Sequence, residues 1–165
     1  MARSRLGETD VARGLQTTLE QTRRASERYL MVRCLEALSE VALASGDTAG
    51  CLKYADELLD IALQNGLREL EASARRWRGE ALLADKAFVH AGEELSRAAQ
   101  LAEEIGRVRL QLDAQAALAR LLSAKGQHPA AQRHRANAHA IADAVEKSLA
   151  SSGLKAHLRV DTGPR

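Results

Sequence analysis

The sequence repeats itself at intervals of forty residues. Ile61-Ala62, Leu101-Ala102 and Ile141-Ala142 share one register, as do Leu30, Leu70 and Leu110. The columns Ala42/Leu82/Leu122, Ala44/Ala84/Ala124, Cys51/Ala91/Ala131 and Leu58/Ala98/Ala138 keep the same spacing, and Gly46 and Gly126 lie two periods apart. The register runs backwards too: Leu15 answers Ala55 and Leu19 answers Leu59, so half a repeat precedes the first complete one. A fixed period of this length marks chains built from stacked units, each unable to bury its apolar face alone.

Within each period the apolar residues follow helical spacing in two blocks, for example Leu30, Cys34, Leu38, Val41, Ala42 and then Leu52, Ala55, Leu58, Leu59, Ala62. Each repeat therefore reads as a helical hairpin. Aromatics are only 2% of the chain and alanine is abundant, which suits close-packed helices and argues against a β fold. Helices are expected near 9–24, 27–45, 48–65, 68–85, 88–105, 108–125 and 129–149. Ser26 is the expected cap of a helix starting at Glu27, Asp47 caps the next, and Pro129 takes a first helical position. Asn65-Gly66 and Gly106 are the stops. Lys86 stands where the neighbouring turns carry Gly46 and Gly126, so a different local solution is expected there. The expected fold class is all-α, a right-handed α-solenoid of about three and a half antiparallel helical hairpins in a single domain over 1–160. Its parts are a half repeat at 8–25, repeats at 26–66, 67–106 and 107–149, and a capping tail at 150–160. Residues 161–165 are expected to be loose.

Composition excludes several functions. With 24 basic against 22 acidic residues the net charge is +2, which gives no reason to expect nucleic acid or a membrane as partner. The clusters Arg23-Arg24, Arg75-Arg76-Trp77-Arg78 and Arg133/Arg135 are interleaved with acids or lack stacking aromatics. No apolar run is long enough to span a bilayer, and the first residues lack the apolar centre of a signal peptide, so a cytoplasmic location is expected. His134 and His139 are five apart, about 140° around a helix, where a shared metal needs three or four. No metal, cofactor or catalytic residue is expected. Ser152-Gly-Leu-Lys155 has the letters of a Ser/Lys pair without its companion motifs. Cys34 and Cys51 fall at depths differing by roughly 10 Å on neighbouring helices, too far for a disulfide.

Small residues recur where paired helices must touch. Arg78-Gly79-Glu80-Ala81-Leu82-Leu83-Ala84 followed by Ala91, Leu95 and Ala98 resembles the tetratricopeptide-repeat (TPR) pattern, and Ala119, Leu122, Ala131 and Ala138 echo it. Ala37 to Asp47 carries the same family's hairpin habit. More narrowly, residues 8–150 resemble the long-period helical tails of bacterial signalling regulators that join an ATPase module to a cyclase or a DNA-binding domain. The resemblance implies a non-enzymatic protein–protein interaction scaffold, with a peptide or partner helix held in the concave groove. Carried onto this register, the family's groove positions are Arg33, Glu36, Ala37 and Glu40, then Ser73, Arg76, Trp77 and Glu80, then Asp113, Ala116, Ala117 and Arg120. Glu40 and Glu80 with Arg76 and Arg120 would give a groove of both signs, with Trp77 as its aromatic anchor and the glutamates open to charge reversal. The half repeat would leave Leu15 and Leu19 on an uncovered end. Preceding chain, residues 1–7 folding over, or a homodimer would each cover it. The alternative function is a small-molecule sensor with a cavity near Trp77 and Arg120, whose filling changes the curvature.

Overall fold

The computed structural model describes residues 2–151, and among them seven helices and no strand are present: α1 (Ala2–Ala25), α2 (Arg28–Ser45), α3 (Thr48–Asn65), α4 (Arg68–Ala84), α5 (Phe88–Glu104), α6 (Val108–Ala124) and α7 (His128–Ser151). Each helix packs against the next in the chain. The expected boundaries hold to within a residue or two, apart from α1, which begins seven residues earlier than its apolar pattern. Residues 2–7 thus continue α1 rather than fold over its exposed side. Of the expected tail, only the end of α7 is among the described residues; the loose 161–165 end and the Ser152/Lys155 pair lie outside them.

The turns obey a rule that the forty-residue period conceals. Ser26, Gly46, Gly66, Lys86, Gly106 and Gly126 are spaced by twenty residues, and all have φ between +56° and +82°. At each turn the N–H of the following residue donates to a carbonyl five residues back, from Glu27 to Thr22 through to Gln127 to Leu122, at 2.8–2.9 Å. These bonds satisfy carbonyls that a helix end leaves open. Two expectations are corrected here. Ser26 does not cap α2: it is the left-handed residue that ends α1, and Glu27, at the cap position, makes no side-chain cap bond. Lys86 does not bring a different turn, since it takes φ +62° and the same backbone bonds as its glycine counterparts. The two-bond closure outweighs the penalty of about 1–2 kcal/mol that a side chain meets in the left-handed region. Lys86→Gly should therefore raise stability by roughly 0.5–1 kcal/mol, because the relief of that strain exceeds glycine's greater entropy loss; urea denaturation at matched m-values measures it. Asp47 caps α3 as expected, accepting from the Gly50 N–H at 2.8 Å. Pro129 lies one place inside α7, still within its first turn, where no N–H is needed.

Apolar side chains of α1 to α4 form one buried cluster, from Leu19 through Leu35, Leu38, Cys51 and Leu58 to Trp77 and Ala81. A second joins α5 and α6 through Ala91, Leu95, Ala98, Ala117, Leu118 and Leu121. Helix α4 links the two at Gly79: a Cβ built there would lie 2.5 Å from Leu95 Cγ, so the α4–α5 approach depends on the missing side chain. Cys34 and Cys51 are both buried free thiols. Burial, reinforced by Glu80, pushes the Cys51 thiol up to about 12, so it behaves as a small apolar residue at neutral pH.

The helices divide into two rows. Among the described residues the backbone of α4 comes close to both α2 and α6, whereas α1, α3, α5 and α7 make no such approach to one another. The α2–α4–α6 row is the tighter layer, and helices two apart in an up-and-down chain run parallel. Their N-terminal ends therefore lie side by side.

Candidate functional site

A groove of about 810 Å³ crosses the N-terminal halves of α2, α4 and α6. Val32, Leu70, Val108 and Leu110 contribute apolar side chains to it, with Tyr29 and Leu67 at its edge. Tyr29 is 76% exposed and Leu67 43%, and Leu30 and Leu63 near the same turns are also exposed. Large apolar residues left in water beside a groove, rather than scattered singly, mark a surface that another molecule covers. Arg28, Arg33, Arg107 and Arg109 lie around this apolar floor together with Glu36 and Glu69. Arg28 donates to the Asn65 side chain at 2.9 Å, Arg33 to Glu36 at 2.8 Å and Arg109 to Asp113 at 3.1 Å, and Arg107 pairs with Glu69 at 2.6 Å.

A second, more polar cavity of about 250 Å³ adjoins the groove deeper along α2 and α4. It is lined by Arg33, Glu36, Ala37, Glu40, Ser73, Arg76, Trp77 and Leu110. The Ser73 hydroxyl, in a residue only 5% exposed, donates to Glu36 at 3.0 Å and ties α4 to α2. Arg76 stacks its guanidinium 3.7 Å from the centroid of the Trp77 ring, and its Nη1 donates to Glu80 at 2.8 Å. Its Nε is buried with no hydrogen-bond partner among the described residues.

The positions inferred from the register thus divide three ways. Arg33, Glu36, Glu40, Ser73, Arg76 and Trp77 come together around the smaller cavity, and Arg33, Glu36 and Ser73 also reach the larger groove. Glu80 and Arg120 form an ion pair at 3.0 Å that joins α4 to α6. Asp113 pairs with Arg109, Ala116 is exposed outside both cavities and Ala117 is buried. Three functional expectations change. Trp77, at 9% exposure, belongs to the core cluster and presents only part of itself to the cavity, so packing rather than anchoring is its main role. The Glu80 side chain is 10% exposed and already bonded to two arginines, so it is not a free groove charge that can be reversed without cost. Leu19 is 3% exposed and Leu15 packs against the same cluster, because α2 covers the apolar face of α1. Neither leucine forms an open end face.

The arginine cluster of α4 is occupied internally. Arg75 pairs with Glu71 at 2.8 Å and Glu94 at 3.1 Å, and Arg78 with Asp56 at 2.9 Å. Burial alone would lower the Arg75 pKa, and its bonds to the two glutamates more than offset that and raise it. These cations lock α3, α4 and α5 together. Among the described residues no helix is long and apolar enough to cross a membrane.

The apolar half of the groove, with Tyr29, Val32, Leu67 and Val108, is absent from the residues inferred from the sequence. One signal was available: the Leu30/Leu70/Leu110 column, of which Leu70 and Leu110 line the groove. No protein-family model and no curated protein sequence matches this chain.

Proposed function

We propose that the chain is a non-enzymatic protein-interaction scaffold that holds a peptide or partner helix in the groove across α2, α4 and α6. The observation that carries this is the open apolar floor flanked by exposed Tyr29 and Leu67 on three neighbouring parallel helices. Such a surface suits a segment of another protein laid across several helix starts. On the same reading the helices are hairpin repeats of TPR type, stacked with a forty-residue period into a right-handed superhelix whose inner row is α2–α4–α6. The module serves a bacterial signalling regulator in the cytoplasm; what supports the regulator is the resemblance of residues 8–150 to the helical tails of such proteins. Selection from a displayed random peptide library tests the binding reading. Wild type should enrich a family of peptides, and Tyr29→Asp/Leu67→Asp, both on the exposed edge, should lower their retention by about tenfold or more, while Glu40→Arg has a smaller effect. Equal retention by wild type and the edge variant would refute the groove.

The alternative, a small-molecule sensor, rests on the 250 Å³ cavity, which Arg76 and Trp77 line together with Glu36 and Glu40. A ligand there would bridge α2 and α4 and alter their packing. It would raise the melting temperature by mass action with no protein partner present, and Arg76→Lys would abolish that rise.

A further inference from the structure

The occupant of the groove can be specified by charge. The lining holds four arginines, Arg28, Arg33, Arg107 and Arg109, against two carboxylates, Glu36 and Glu69. Among the described residues Arg28 has only the neutral Asn65 side chain as partner, and the Arg109 side chain is 87% exposed in its pair with Asp113. Exposed pairs of this kind are weak in water, so the guanidinium groups remain available to a second carboxylate.

Their position sharpens the point. Arg28, Arg107 and Arg109 sit at the starts of α2 and α6, helix ends that already carry partial positive charge. Neither helix has an acidic residue in its first turn, and the residues at the cap positions of α2, α4 and α6, Glu27, Leu67 and Arg107, make no side-chain cap bond. Cations at uncapped helix starts work against the free protein's own stability. An anionic partner would reverse that penalty. The apolar floor requires that the same partner also present apolar side chains. The groove is open along a row of three helices, with exposed Tyr29 and Leu67 in its lining. A small ligand, which needs most of its surface enclosed, is poorly held by such a shape, whereas the face of a helix fits it.

We infer that the groove takes an acidic amphipathic helix of a partner protein, with apolar residues at i, i+3 or i+4, and i+7 on the floor and Asp or Glu on its flanks facing Arg28, Arg33, Arg107 and Arg109. This rests on the scaffold reading and names its partner class.

The test is a displayed library of helical peptides with leucine fixed at the anchor positions and the flank positions randomised among Glu, Lys, Ser and Ala. Wild type should enrich Glu by roughly two- to five-fold at each contacted flank position, the range an exposed ion pair supports. Arg28→Glu/Arg109→Glu should lose that preference or turn it toward Lys. Arg28→Glu alone should leave the melting temperature of the free protein nearly unchanged, because the Asn65 bond it gives up is exposed and the acid gained at the start of α2 offsets it. Selection of the leucine anchors with Lys or no charge preference on the flanks would overturn the acidic partner and leave the scaffold standing. No enrichment of any peptide would overturn both. A wild-type chain that is dimeric by sedimentation, and monomeric as Arg28→Glu/Arg109→Glu, would assign the groove to a second copy instead.

Discussion

Leu95→Ala should cost about 2–5 kcal/mol, and adding Gly79→Ala to it should recover part of that loss. Leu95 is fully buried on α5, so its truncation removes both transfer energy and packing and leaves a cavity that helices held from both sides cannot close. Gly79→Ala alone is also destabilising, but by overpacking rather than by a cavity. Its Cβ would stand 2.5 Å from Leu95 Cγ, 2.7 Å from Cδ2 and 3.2 Å from the Leu95 backbone N. A fully buried leucine has nowhere to turn, so overpacking of about 1–3 kcal/mol outweighs the ~1 kcal/mol that alanine gains over glycine within a helix. Once Leu95 is shortened the clash is gone, and the propensity gain appears with its own sign. Denaturant titration of the four species measures the coupling, which should be at least about 1 kcal/mol. Additive effects would mean that α4 and α5 are not in this contact. Gly92→Ala is the companion case: its nearest neighbour is Leu121 Cδ2 at 3.4 Å, so the substitution should be neutral or stabilising by up to about 1 kcal/mol.

Glu80→Ala should be the most damaging single change among the charged residues, at about 3 kcal/mol. The two Glu80 oxygens accept from Arg76 at 2.8 Å and from Arg120 at 3.0 Å. The Arg76 side chain is 13% exposed and Glu80's 10%, so removing the acid leaves a guanidinium held against Trp77 with no counter-charge and little water. Breaking such a pair from one side is costly because of the charge left behind, not because the pair itself is strong. Arg76→Leu/Glu80→Leu should therefore lie within about 1 kcal/mol of wild type, well above Glu80→Ala. Glu40→Arg provides the contrast: Glu40 is exposed and makes no hydrogen bond or ion pair among the described residues, so its reversal should change stability by less than about 0.5 kcal/mol. A Glu80→Ala cost as small as that of Glu40→Arg would show the α4–α6 pair to be solvated.

Helix number and hairpin order were legible because small and apolar residues recur in fixed columns. Gly79, Ala91 and Ala98 mark where neighbouring helices meet, and all three are buried. The twenty-residue turn rule was harder to see, since two of its six positions carry Ser26 and Lys86. Composition suggests a cap and an irregular turn there, but backbone hydrogen bonding decides the conformation. Leu19 was misplaced for a related reason: periodicity identifies an apolar face without saying which neighbour covers it, and α2 covers this one. In the site, positions transferred from the repeat register point to the middle of the first helices, where Arg76, Trp77 and Glu80 are spent on internal stacking and ion pairing. The groove's apolar floor lies nearer the helix starts, at Val32, Leu70, Val108 and Leu110. Leu70 and Leu110 share one column of the register, but Val32 and Val108 stand outside it, so the register alone does not assemble the floor.

The most direct measurement is methyl nuclear magnetic resonance of the chain titrated with a peptide selected on wild type. Shifts should concentrate on the methyl groups of Val32, Leu67, Leu70, Val108 and Leu110, with Val11 and Val89 unaffected. If the largest shifts instead fall on Val11, Val89 or the α7 methyl groups, the partner binds elsewhere and the α2–α4–α6 groove is not the working surface.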